Sequence, residues 1–89
     1  MEEEKYQQYV NWQKERGQVS SSQYLSFMKV IENTLLVKDF HKIKSVSVLK
    51  LLLKQLETNK AFCARGKSDR DNILSGFRNY IEFIKSLSS

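Results

Sequence analysis

The chain has no proline, three glycines, one cysteine and one histidine among its 89 residues. Each shortage excludes something. Without proline, and with only Gly17, Gly66 and Gly76, little in the sequence interrupts a helix. A lone Cys63 cannot form an internal disulfide. With His41 the only histidine, no zinc-ligand cluster can be assembled, and no metal or other cofactor is expected. The single thiol fits a reducing, cytoplasmic location best. Apolar runs such as Leu51–Leu53 are far too short to span a bilayer, and no secretory signal is evident, so no membrane partner is expected. Paired carboxylates, a glycine-rich phosphate loop and a nucleophile–base pair are also missing. The chain therefore reads as a non-enzyme with no small-molecule substrate.

What is present is helical spacing and positive charge. One domain over residues 1–89 suits this length. Five Phe, four Tyr and one Trp supply bulky core material, which argues against disorder. The Glu2–Glu4 triplet reads either as a fraying first turn whose acids favour the helix dipole, or as an acidic arm that competes for the basic face.

The spacing predicts four main helices. The first runs from about Glu3 to Arg16, with Tyr6, Tyr9, Val10 and Gln13 on one stripe and Gly17 as a left-handed stop. The second starts after Ser20, with Gln23 as capping-box partner and Val19 and Tyr24 as a hydrophobic staple. Tyr24, Phe27, Met28, Ile31 and Leu35 form its buried face, and it ends between Asn33 and Val37. Residues 38–45 read as a connector anchored by Phe40 and Ile43, with room for a short helical turn. The third helix spans Val46–Thr58, capped by Ser45 or Ser47, with Val48, Leu49, Leu52, Leu53 and Leu56 inward. Ala61, Phe62 and Ala64 either pack or extend a helix before a break at Gly66. The fourth helix is expected to start at Ser68, with Ile73, Phe77, Tyr80, Ile81, Ile84 and Leu87 on one face. Gly76 costs about 1 kcal/mol relative to Ala inside that helix, which predicts a close-packed neighbour there.

The order Tyr6-x-x-Tyr9-Val10, then Val19-Ser20-Ser21-Ser22-Gln23-Tyr24-Leu25-x-x-Met28-x-x-Ile31, then a Leu-rich helix, then Ser75-Gly76-Phe77-Arg78-Asn79-Tyr80-Ile81-Glu82-Phe83 carries a resemblance. It resembles the SAM-like N-terminal core-binding domain of tyrosine recombinases and phage integrases. It is also similar to small helical domains that precede restriction nucleases. Gly76 stands where a small alanine would be typical. The resemblance spans about Tyr6 to Leu87. It implies an all-α, compact bundle of four to five short helices that contacts duplex DNA through the starts of its second and fourth helices. It carries no strand cleavage, because no catalytic domain is attached.

Charge placement points the same way. Residues 38–78 hold ten Lys/Arg against four Asp/Glu, and such an excess on a small domain favours a polyanion. The candidate nucleic-acid-binding residues are Ser21, Gln23, Lys29, Lys38, Lys42, Lys44, Lys67, Ser68, Arg70 and Arg78. Helix N-termini suit phosphate oxygens, and Lys and Arg release counterions as they neutralise phosphates. Gln23 or Asn72 can reach a base edge, and Arg70 or Arg78 can take a guanine. For each residue a plain reading stands beside this one: serines cap helices, and charges solvate a surface. Tyr9, Trp12 and Tyr24 can stack on bases or lie in the core. Cys63 reads as a buried small apolar residue, and His41 as a surface or packing residue. The expected function is a DNA-binding module associated with recombination or restriction. The alternative is a protein-interaction or assembly domain, with a protein partner or a second copy docking where two or three of Trp12, Phe27 and Phe83 form a patch beside the main stripes.

Overall fold

Apolar spacing resolves into five α-helices and one 3-10 turn in the computed structural model, which describes residues 6–17, 21–37 and 40–88. The helices are α1 (Gln7–Glu15), α2 (Ser21–Leu35), α3 (Val46–Thr58), α4 (Lys60–Cys63) and α5 (Lys67–Ser88), with the 3-10 turn at Phe40–Lys42 between α2 and α3. No strand occurs among the described residues. The architecture is all-α, as expected. The Glu2–Glu4 triplet, Val19, Ser20 and Lys38 lie outside the described residues.

α1 buries the stripe its spacing marks out. Tyr6 just before it, then Tyr9, Val10 and Gln13, are all buried, while Trp12 is half-buried at the stripe's edge. Its end is set by Gly17, whose φ of +80° needs a residue without a Cβ. α2 ends less comfortably. Val37 N–H donates to Glu32 O at 3.1 Å, the long bond of a Schellman end. The position that glycine normally fills there is Leu36, at φ 58° and 87% exposed.

Ser45 caps α3, its Oγ accepting from Val48 N–H at 3.4 Å. Asn59 then caps the single turn of α4, its Oδ1 accepting from Phe62 N–H at 3.1 Å, and that turn buries Phe62. Cys63, next along, points away from the core and is exposed, not buried as its neighbours suggest. Its thiol donates to Glu57 O at 3.3 Å. α5 starts one residue earlier than Ser68. Arg70 N–H donates to Gly66 O at 3.0 Å, so Gly66 occupies the capping position and Ser68 is the second residue of the helix.

α5 is the central element and packs against α1, α2 and α3. Ile73, Phe77, Tyr80, Ile81 and Ile84 are buried as their spacing predicts, but Leu87 is exposed. Phe83 is buried, not part of a surface patch. The reason is α1: Tyr9 and Trp12 lie against Phe83, with ring centroids 5.5 Å and 5.7 Å away, and so widen the buried face of α5. With Trp12 and Phe27 half-buried against the core as well, the proposed three-aromatic docking patch does not form. Val48 also points outward, not into the core as its spacing predicts. Contact of α3 centres on Leu49 and Leu56, and the roughly 100° step per residue swings Val48 out, leaving it 42% exposed.

The core closes at one point. The Tyr9 hydroxyl donates to Gly76 O at 2.8 Å and accepts from Gln13 Nε2 at 3.1 Å, all buried. A Cβ at Gly76 would lie 3.1 Å from Tyr24 Cδ1 and 3.2 Å from Phe27 Cδ2, so α2 approaches α5 closely where the side chain is missing. Phe40 joins from the connector, its ring 5.5 Å from Phe77 and 5.4 Å from Tyr80.

Three outcomes follow from this packing. Tyr9→Phe removes the bond to Gly76 and strands Gln13 Nε2 in the core, which should cost about 1–3 kcal/mol in urea unfolding. Leu36→Gly relieves a left-handed conformation that costs a side-chain-bearing residue about 1–2 kcal/mol. Part of that gain is lost to the freer unfolded chain, so a net stabilisation of about 0.5–1 kcal/mol is expected. Alkali should unfold the domain. Burial, then the Glu32 charge, pushes the Tyr80 hydroxyl up to about 12 from 10.0. Burial, then Tyr24 and Tyr80, pushes Tyr9 higher still. The unfolded chain ionises these phenols first, so their contribution is complete below pH 10 and falls away as pH rises toward 12. Absorbance titration should show the phenolates of Tyr9 and Tyr80, assigned by comparison with Tyr9→Phe and Tyr80→Phe, appearing together with loss of helical circular dichroism.

Candidate nucleic-acid interface

α3 and α5 carry cations on either side of a shared groove. On α3, Lys50 and Lys54 are one turn apart and both exposed. On α5, Lys67, Arg78 and Lys85 are spaced by 11 and 7 residues, close to whole turns, so they share one flank over about 27 Å of helix. Leu53 and Ile81 form the floor of a groove of about 250 Å³ between the two helices. Lys50, Arg78 and Lys85 stand on its rim with Asn79 and Glu82.

The carboxylates are placed unevenly. Arg78 Nη2 lies 3.9 Å from Glu57 Oε1, and Lys85 Nζ lies 3.4 Å from Glu82 Oε1. Both pairs are well exposed, so each holds its cation only weakly. Lys50, Lys54 and Lys67 form no ion pair with any described residue. Asp71 and Glu82 share the α5 flank with its three cations, and Glu57 shares the α3 edge with its two lysines, so each helix leaves one positive charge in excess.

Several residues expected in the site fall elsewhere. Lys67, Ser68 and Arg70 belong to the first turn of α5, about 16 Å along the helix from Arg78 in the case of Lys67. Lys67 and Ser68 are exposed. Arg70 is half-buried, and its Nε lacks a hydrogen-bond partner among the described residues. Lys42 ends the 3-10 turn and Lys44 precedes α3. Both are exposed and form no ion pair with a described residue. Phe40 anchors their connector on Phe77 and Tyr80, so they lie well beyond the first turn of α5. Ser21 and Gln23 belong to the first turn of α2, and their side chains lie outside what the structure describes. Lys29 is exposed on α2. α2 meets α5 at Gly76, and two residues turn a helix by about 200°, so α2 lies on the far side of α5 from Arg78. The ten residues thus do not form one cluster.

Lys50, Lys54, Asn79 and Lys85 join the surface without having been singled out. A signal for them exists: Lys50 and Lys54 are at i, i+4, and Lys85 is seven residues after Arg78. That spacing identifies cations sharing a helix face, although it does not show which two faces meet.

Among the described residues no aromatic ring is fully exposed for base stacking. Tyr9 is buried, and Tyr24 packs on Phe27 at 5.6 Å. The Trp12 ring stacks near Tyr9 and carries the Arg16 guanidinium 4.4 Å from its centroid. Among the described residues, no group of three His, Cys, Asp or Glu side chains is placed to hold a metal ion, and no helix is long and apolar enough to cross a membrane.

No family model matches the chain, nor does any curated protein or solved structure.

Proposed function

We propose that this chain is a small, non-enzymatic DNA-binding module that grips the backbone phosphates of duplex DNA along the α3–α5 flank. One observation carries the reading: Lys50 and Lys54 stand without ion pairs on α3, across from Arg78 and Lys85 on α5, on two helices that share a groove. Phosphate contact needs no motif, only cations that can shed their counterions on binding. The withdrawal of the aromatics into the core favours duplex over single strands, since single-strand binders rely on exposed stacking surfaces. The order of helices resembles that of the recombinase core-binding domain, and this extends the proposal to a module accompanying recombination or restriction enzymes. The contact surface proposed here is shifted from the helix starts used in that family toward the flank of α5.

Fluorescence anisotropy with a labelled duplex tests this. Binding at low salt should weaken as salt rises, with a log–log slope corresponding to about three to five phosphates. Lys50→Gln with Lys54→Gln should reduce that slope by about two, one for each charge removed. Glu57→Gln frees Arg78 and should tighten binding. A full chain that binds no duplex at low salt, or whose binding ignores salt, overturns the proposal.

A further inference from the structure

α3 is amphipathic twice over. Its inner face carries Leu49 and Leu56 into the core, with Leu53 at the groove. Its outer face carries Val48, Leu51, Leu52 and Gln55, at i, i+3, i+4 and i+7. Leu51 is 61% exposed and Val48 42%, Gln55 is exposed, and Leu52 is half-buried. That spacing is the one by which a helix seats another helix in its side. Ser47 and Thr58 continue the outer face without charge, so no ionised side chain interrupts it from end to end.

All the charges of α3 lie along one edge. They are Lys50, Lys54 and Glu57, and Glu57 already faces Arg78. The edge therefore offers two lysines that have no ion pair among the described residues. From this we infer a second binding surface, one that takes protein and not nucleic acid. The outer face of α3 docks an amphipathic helix of a partner protein, one with apolar residues on its contact stripe and acidic residues along the edge that meets Lys50 and Lys54.

Charge selects this occupant over a second copy of the chain. In an antiparallel two-fold pairing of α3 outer faces the Lys50 and Lys54 rows of the two copies meet, and facing like charges disfavour the pair. In a parallel one each lysine row meets the partner's uncharged edge, so neither arrangement gives the lysines a counter-charge. An acidic partner edge supplies that counter-charge and completes the apolar contact.

The test uses the full chain, labelled for amide NMR, and two synthetic helical peptides. Both carry leucines at i, i+3, i+4 and i+7; one has glutamates along one edge and the other has lysines at those places. The glutamate peptide should bind about tenfold or more tightly than the lysine peptide, and shift changes should centre on residues 47–58. Leu51→Ser should abolish binding while leaving the thermal midpoint nearly unchanged, because the side chain is already mostly wet. Lys50→Gln with Lys54→Gln should remove the preference for glutamate yet keep residual apolar binding. Equal binding of both peptides, shift changes centred elsewhere, or a concentration-dependent dimer abolished by Leu51→Ser would each overturn the inference. Duplex binding should be indifferent to Leu51→Ser, so the two surfaces fail or succeed separately.

Discussion

The fold turns on the meeting of the Tyr9 hydroxyl with the backbone of α5 at Gly76. A carbonyl inside a helix already accepts one bond from its own helix; a second donor can reach it only where no side chain intervenes. Glycine provides that opening, and two different helices use it. α1 sends in the Tyr9 hydroxyl at 2.8 Å, and α2 lays Tyr24 and Phe27 across the space a Cβ would fill. The helix-propensity cost of a glycine, about 1 kcal/mol, is offset by the contacts it admits. Tyr9 is in turn held by Gln13 one turn along α1, whose Nε2 donates to the hydroxyl while its Oε1 has no partner among the described residues. Three helices are thereby fixed in register at one point, a large constraint for a chain whose buried area is modest.

That junction also decides what remains outside. With α1 and α2 on the Gly76 side, α5 can present only its other flank, and Arg78, Asn79 and Lys85 lie there against α3. The same packing draws Tyr6, Tyr9, Phe40, Phe77, Tyr80 and Phe83 into one chain of aromatic contacts. The surface is left with long aliphatic stems bearing amines and guanidinium groups, and with few rings. Such a surface suits phosphates and acidic side chains better than it suits unstacked bases.

Much of this was legible in the residues, and the limits are physical. The α1 stripe, the bounds of α3 and the neighbour at Gly76 follow from local periodicity, which depends on each helix alone. Phe83 and Val48 were misplaced because burial at the edge of a stripe depends on which helix comes alongside. α1 covers Phe83, and nothing among the described residues covers Val48 to the same degree. Leu36 escaped notice because a left-handed residue that is not glycine leaves no compositional mark. Cys63 illustrates a third limit: in a single-turn helix, one residue's shift in phase separates a buried Phe62 from an exposed thiol. For the candidate site, charge excess was visible from composition, but the pairing of α3 with α5 was not. A helix spacing gives the angle of a lysine about its own axis and is silent about the neighbouring axis.

α3 shows why a small bundle can leave useful surface exposed. Only one side of a thirteen-residue helix can face this core, and Leu49 and Leu56 fill that side. Leu52 and Leu53 reach the core only in part and Leu51 stays outside it, whereas full burial of one such side chain yields about 1.5–3 kcal/mol when something covers it. Lys50 and Lys54 run between the groove and the outer face, so both surfaces draw on the same two charges. An acid laid against that ridge removes positive potential from the groove, and a phosphate in the groove does the same for the outer face. The two proposed ligands are therefore coupled negatively and by equal amounts in either direction, as linkage requires. The coupling needs no change of shape, because the ridge itself is the shared element.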